Sequence, residues 1–315
     1  MKIASLIDQL RSHRASLHRA SVAALVVVLA GLVALSACSV SVDSGGGSLI
    51  IGQITKGPVA NARVNIYLLG DNGERGQRIA GPFITNLMGG WRGTLPESLS
   101  GFPDLELDGP FEVVATGGNF TDEVSRRFVT LLATDEISGI MSSRHQQQVS
   151  TTPLTHAMLL MVKERLASGN NGAKVEVARS VVAAQLAFGF DVTTVFPFIV
   201  TSSRTSVPIA EMTYTALLGG LSHLLEYPAL TGFNVLPLFQ RYEALISDLS
   251  DGRLNGLDAK GVAIVIPTGV GSETLNWPAL DVLGITPWIS ATRAYVLIEG
   301  TIQDVVIDDF LQASF

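Results

Sequence analysis

Three hydrophobic rhythms follow one another along the chain. Residues 22–35 (VAALVVVLAGLVAL) form one uninterrupted stretch of 14 residues without a charge. From 49 to 132, short β-branched runs alternate with Gly, Pro, Asn and Asp, and strands are predicted at 49–55, 62–69, 78–84, 90–95, 111–116 and 126–131. The breaks are Gly57-Pro58, Asp71-Asn72-Gly73, residues 101–103 and Gly117-Gly118-Asn119. Arg63-Val64-Asn65-Ile66-Tyr67-Leu68 alternates cleanly, so one face of that strand should be wet. After Val149 the period changes. Thr152 followed by Pro153 suits an N-cap and first helical residue, and helices are predicted at 154–167, 173–188, 209–227, 235–249 and 288–311. Gly172 and Gly189 close the first two, Asn234 is placed to cap the fourth, and Thr286-Pro287 opens the fifth. Between 262 and 286 only 262–266 looks like a strand. The expected class is α+β: an N-terminal antiparallel β-sandwich over 49–149, then a mostly α-helical domain over 150–315.

The first rhythm has a different meaning. Fourteen apolar residues are too few to span a hydrocarbon core comfortably but suit the apolar part of an export signal. A basic, polar segment (1–20) precedes them, and they run straight into Leu35-Ser36-Ala37-Cys38. That sequence resembles a lipobox, with an aliphatic residue, two small ones and a cysteine. The resemblance to bacterial lipoproteins implies that 1–37 are removed as a signal peptide and that Cys38 carries acyl chains, palmitate among them. Each buried methylene contributes about 0.8 kcal/mol, so several chains anchor firmly where one holds only marginally. Ser39, where an inner-membrane lipoprotein would resemble this one with an aspartate, implies the outer membrane as destination. Residues 38–48, with three consecutive glycines, form a flexible lipidated tether with a reach of roughly 17 Å.

The β region carries a second resemblance. Gly52, Gly57-Pro58-Val59, Ala62, Val64 and Ile66-Tyr67 resemble the opening of a carboxypeptidase-regulatory-like, or transthyretin-like, domain. Thr85, Gly89 and Trp91 are similar to that family's later Thr, Gly and aromatic element, and Leu95-Pro96 and the 117–123 segment recur in lipoproteins that carry the module. The Thr152-Pro153-Leu154-Thr155 helix start is similar to the one that comes after the sandwich in those lipoproteins. The resemblance spans about 80 residues and implies a sandwich without chemistry of its own.

Composition narrows the partners. The chain is 47% hydrophobic and 16% charged, enough to build a core rather than a disordered tail. Of the net charge of −7, residues 1–37 carry +3 (Lys2, Arg11, Arg14 and Arg19 against Asp8), leaving −10 from Cys38 onward. An acidic body without a basic run argues against nucleic acid and against electrostatic docking on anionic lipid. The single cysteine excludes a disulfide framework and cysteine-based zinc sites. From 38 onward no run reaches 18 apolar residues, so a soluble body is expected.

Motifs for chemistry are sparse. His145, His156 and His223 are separated in sequence, and no His-Glu-x-x-His occurs. Gly220-Leu221-Ser222-His223-Leu224 lacks the second glycine of a nucleophile elbow and falls inside a predicted helix. Gly269-Val270-Gly271 lacks both the third glycine of a dinucleotide fingerprint and the lysine of a phosphate loop, and is expected to be a loop. Trp91 is placed to fill the sandwich interior rather than to stack on a sugar, and Asp122-Glu123 to form a solvated turn rather than a calcium site. The densest oxygen cluster is Asp248, Asp251, Asn255 and Asp258. It is weighed as a cation site but departs from EF-hand spacing, so a self-bonded polar turn is preferred.

Together these features suggest a lipid-anchored envelope protein with a structural, adhesive or binding role. Its expected partners are the membrane, through the lipid, and an envelope protein or glycan, with no cofactor. A hydrolase with its site in the helical half, or an accessory lipoprotein of a secretion or filament-assembly complex, are the alternatives.

Overall fold

The computed structural model describes residues 47–97, 109–169, 174–182, 189–199, 207–225, 236–268 and 271–274. It shows an α+β protein, with β-sheets first and helices after them. β1 (Ser48–Ile54), β2 (Arg63–Leu69), β3 (Arg75–Ile84), β4 (Gly90–Leu95), β5 (Phe111–Thr116), β6 (Asn119–Thr121), β7 (Phe128–Thr130), β8 (Glu136–Met141) and β9 (Gln148–Thr151) precede α1 (Pro153–Ala167), α2 (Lys174–Val181), α3 (Ile209–Leu225) and α4 (Leu238–Leu249). A last hairpin pairs β10 (Val265–Thr268) with β11 (Gly271–Thr274).

Two sheets form the β region. One has the order β3-β2-β5-β8 and is antiparallel throughout; the other is β4-β1-β9. In the second, β1 pairs antiparallel with β4 but parallel with β9, Gly52 facing Val149. A third pair, β6 and β7, is a short hairpin. On β2 burial follows the alternation of the sequence: Val64 and Ile66 are fully buried, Arg63 is exposed, and Asn65 and Tyr67 lie between.

Glycines are required where two aromatic rings lie flat on the small sheet. Phe83 and Trp91 stack with centroids 5.5 Å apart and planes 6° from parallel. A Cβ on Gly52 would overlap the Trp91 indole, and one on Gly93 would overlap the Phe83 ring. The rings shield a backbone that has no side chain of its own. Trp91 is only 5% exposed, so it fills the interior as its place in the sequence suggested.

Helix α1 starts on a reciprocal cap: Thr155 N–H donates to Thr152 Oγ1, and Thr152 N–H donates to Thr155 Oγ1 at 2.8 Å, with Pro153 at the first helical position. Gly169, with φ of +74°, ends it. α1 packs against β8, β9, α2 and α4, and α3 packs against α4. One hydrophobic core runs through both parts, joining Ile50, Ile66, Val113 and Ile137 of the sheets to Leu154, Met158, Leu217 and Leu245 of the helices. Among the described residues no helix is long and apolar enough to cross a membrane.

Several elements differ from the sequence expectations. β3 begins three residues earlier than expected, and β6, β8 and β9 fall where none was predicted. β8 (EISGIM) is buried on both faces, so it lacks the alternation that marks a half-wet strand. Residues 271–274 form a strand rather than a loop. α4 starts after Pro237 rather than at an Asn234 cap, and Asn234 itself lies outside the described residues. The helix expected at 288–311 lies outside them as well.

Candidate functional site

An open concavity lies at one corner of the four-stranded sheet and measures about 600 Å³. Arg63 and Asn65 of β2, Arg78 and Pro82 of β3, and Thr116 of β5 line it, together with Asn61, Gly117, Gly118, Leu131 and Ala133. Strand register explains the assembly. Arg63 faces Thr116 across the β2–β5 ladder, and Arg78 faces Tyr67 across the β2–β3 ladder. Arg63, Asn65 and Tyr67 share a side of β2 by its two-residue period, which brings both arginines to the same face. The loop walls are built from backbone contacts. Asn119 and Ala60 exchange two N–H···O bonds of 2.8 and 2.9 Å, and Gly118, with φ of +87°, presses so close to Ala60 and Ala62 that a Cβ has no room. Asn61 adopts φ of +59°, a conformation asparagine tolerates better than most residues.

The electrostatics of this corner contrast with the rest of the sheet. Arg75, a neighbour on β3, is fully committed: it bonds Glu112 at 2.8 Å and Glu136 at 2.6 Å and stands over the Tyr67 ring. Its hydrogen bonds to those two carboxylates hold its guanidinium charged. Glu112 is 1% exposed; burial alone would raise its pKa, but Arg75 and Lys163 hold it below the ordinary carboxylate range. Arg63 and Arg78 are exposed and form no ion pair or side-chain hydrogen bond among the described residues. Among the described residues no acidic side chain lines the groove.

A second cluster is closed. Lys56, 1% exposed, sits in the turn between β1 and β2 and reaches Asp122 Oδ2 at 2.8 Å, Ser222 Oγ at 2.6 Å and Glu123 Oε2 at 3.5 Å. Its ammonium lies 5.8 Å from the centroids of both Phe120 and Tyr242. One lysine thereby ties the β1–β2 turn to the β6–β7 hairpin and to helices α3 and α4. Burial alone would lower its pKa, but Glu123 and Asp122 hold it above the ordinary lysine value. A serine beside a lysine invites comparison with a nucleophile and its base, and the geometry argues against it. All three ammonium protons are directed at oxygen acceptors, the charged amine has no lone pair to accept a proton, and Ser222 donates its own to the Leu218 carbonyl. Both groups are sealed from solvent.

Of the residues singled out in the sequence, Leu35, Ser36, Ala37 and Cys38 lie outside the described residues. Asp248, Asp251, Asn255 and Asp258 come together in the turn after α4, but mainly as acceptors for their own loop. Asp248 Oδ1 takes the amides of Asn255 and Gly256, Asp251 takes Arg253 N–H and the Asn255 amide, and Asp258 Oδ1 takes the amides of Lys260 and Val262. Burial raises the Asp251 carboxyl above its ordinary value. Among the described residues no group of three His, Cys, Asp or Glu side chains is arranged to hold a metal ion. Asp122 and Glu123 are not the solvated turn expected of adjacent carboxylates: Asp122 is fully buried, because Lys56 neutralises it and Val124 N–H, Ser125 N–H and Ser125 Oγ bond its other oxygen. Lys56, Arg63 and Arg78 carried no sequence signal of their own. A lone lysine between two β-branched runs looks like any turn residue, and the pairing of strands alone brings the two arginines together.

No family model, curated protein or solved structure matches this chain.

Proposed function

We propose that this is a lipid-anchored cell-envelope protein with a non-enzymatic binding role, its β region a carboxypeptidase-regulatory-like module. The Leu35-Ser36-Ala37-Cys38 sequence after 14 apolar residues carries the anchored part of the reading. The open arginine-lined groove supports the binding part, because polar groups are left uncommitted there at a concave surface. The buried ions Lys56 and Glu112, by contrast, are paired internally, with Asp122 and with Arg75 and Lys163. Outer-membrane placement rests on the resemblance at Ser39.

Intact mass of the membrane-extracted protein beside a Cys38→Ala variant tests the anchor. The expected mass is that of residues 38–315 plus acyl chains, lost in the variant. A mass that includes residues 1–37 overturns it.

A further inference from the structure

We propose that the groove at the corner of the four-stranded sheet binds an acidic oligosaccharide, its carboxylates taken by Arg63 and Arg78. The assignment rests on the reading of the body as a non-enzymatic binding module and names its ligand class.

The body is acidic, yet two exposed arginines stand at one concavity with no carboxylate in its lining and no partner among the described residues. Arg75, only a few residues away, shows what the same sheet does with an arginine used for structure: it is clamped by Glu112 and Glu136. Guanidinium groups left free in a fixed fork geometry are suited to carboxylates, which they bind through paired N–H donors.

The spacing of the two arginines sets the size of the ligand. Arg78 lies opposite Tyr67, four positions along β2 from Arg63. That separates the two strand positions by about 13 Å. With both side chains upright a chain with an acid on successive rings spans that distance, whereas a single small anion meets both only if the side chains lean together. The volume of about 600 Å³ also exceeds the need of one phosphate or carboxylate.

The rest of the lining selects sugar over peptide. Asn61, Asn65 and Thr116 offer groups that both donate and accept, as hydroxyl-rich ligands require. Pro82, Leu131 and Ala133 supply small apolar patches, and among the described residues no aromatic ring lines the groove. Trp91 cannot serve, being buried on Phe83. Without a stacking platform a neutral sugar has little to hold it, so charge must carry recognition.

The test uses the full-length chain in detergent with fluorescently labelled tetragalacturonate. A neutral galactose tetramer and inorganic phosphate are the comparison ligands. Expected are binding of the acidic tetramer, weakened several-fold by raising salt from about 50 to about 300 mM, and no measurable binding of the neutral one. Arg63→Gln and Arg78→Gln should each weaken binding about fivefold, and the double variant at least about twentyfold, with melting temperature unchanged because both residues are exposed. Absence of binding, equal binding of the neutral tetramer, phosphate competing as well per charge as the tetramer, or a double variant that binds normally would each overturn the proposal. The Cys38 mass measurement is independent of all of these. A chain that retains residues 1–37 yet binds the acidic tetramer through the two arginines loses the anchor and keeps the ligand.

Discussion

Replacing Lys56 with methionine isolates the cost of stranding a buried charge. Methionine nearly preserves the volume of the lysine stem, so no cavity forms, and the change is confined to the ammonium. In the wild type that ammonium is 2.8 Å from Asp122 Oδ2, and Asp122 is fully buried. After the substitution Asp122 keeps three bonds to Oδ1, from Val124 N–H, Ser125 N–H and Ser125 Oγ, but Oδ2 faces the interior with a full charge and no counter-ion. Breaking a buried pair from one side typically costs about 3–5 kcal/mol. For a body of this size that lowers Tm by about 10 °C. The double variant Lys56→Met/Asp122→Asn removes both charges and should recover about 2 kcal/mol relative to additivity. The pH dependence separates the cause from simple misfolding. In the wild type, Asp122 is held below the ordinary aspartate value by Lys56, against burial that would raise it. Its contribution is therefore present above the unfolded aspartate pKa and is lost as pH falls through the lower folded value. In Lys56→Met the folded value rises above the unfolded one, so the variant should gain stability relative to wild type as pH falls toward 4. Urea unfolding followed by circular dichroism between pH 7 and pH 4 measures both effects. A variant within about 1 kcal/mol of wild type at pH 7, or one whose stability falls with acid in parallel with wild type, would refute the reasoning.

Two further perturbations probe other parts of the fold. Burial pushes the His156 imidazole down to about 4, so it stays neutral in the folded chain while the unfolded chain takes up a proton near 6.5. Stability should fall by about 2 kcal/mol between pH 6.5 and pH 4, a figure reduced for the part-exposed ring, and level off below that. His156→Asn should flatten this limb of the urea-midpoint profile, and an unchanged slope would remove His156 as its source. Gly52→Ala places a methyl group against the Trp91 indole, which stacks on Phe83. Overpacking of this kind costs about 1–3 kcal/mol, and thermal melts should show partial rescue in Gly52→Ala/Trp91→Leu; no loss in the single variant would mean the ring has room to move.

The sequence was most legible where one face of an element meets water. β2, β4 and β5 fall within a residue of expectation because alternation, or a turn on each side, marks them. The start of α1 was legible because Thr152-Pro153 is a local signal that needs no tertiary context. β8 and β9 were not, for opposite reasons. β8 is buried on both sides because the core closes over both its faces, and β9 (QVST) is four residues whose pairing is decided by β1, about a hundred residues earlier. Strand order is equally hidden. Placing β5 between β2 and β8 requires knowing which edges are free, and no run of residues states that.

The same contrast between local and tertiary signals explains why the reactive-looking residues and the uncommitted ones are different sets. Ser222-His223 stood out in the sequence for its likeness to a nucleophile motif, yet Ser222 is sealed under Lys56 and bonded to its own helix. Asp122-Glu123 and the Asp248 loop stood out for carboxylate density, and each spends that density on backbone amides or a buried cation. Most polar groups that folding buries are satisfied by the fold, so polar density in the sequence marks internal bracing as often as it marks a site. Arg63 and Arg78 have no such obligation. They sit on a solvent-facing surface, where leaving a charge unpaired costs little, and among the described residues no acid lines their groove. An available site in this protein is thus recognised by polar groups the fold does not use, a property visible only after the bonds of all the others have been assigned.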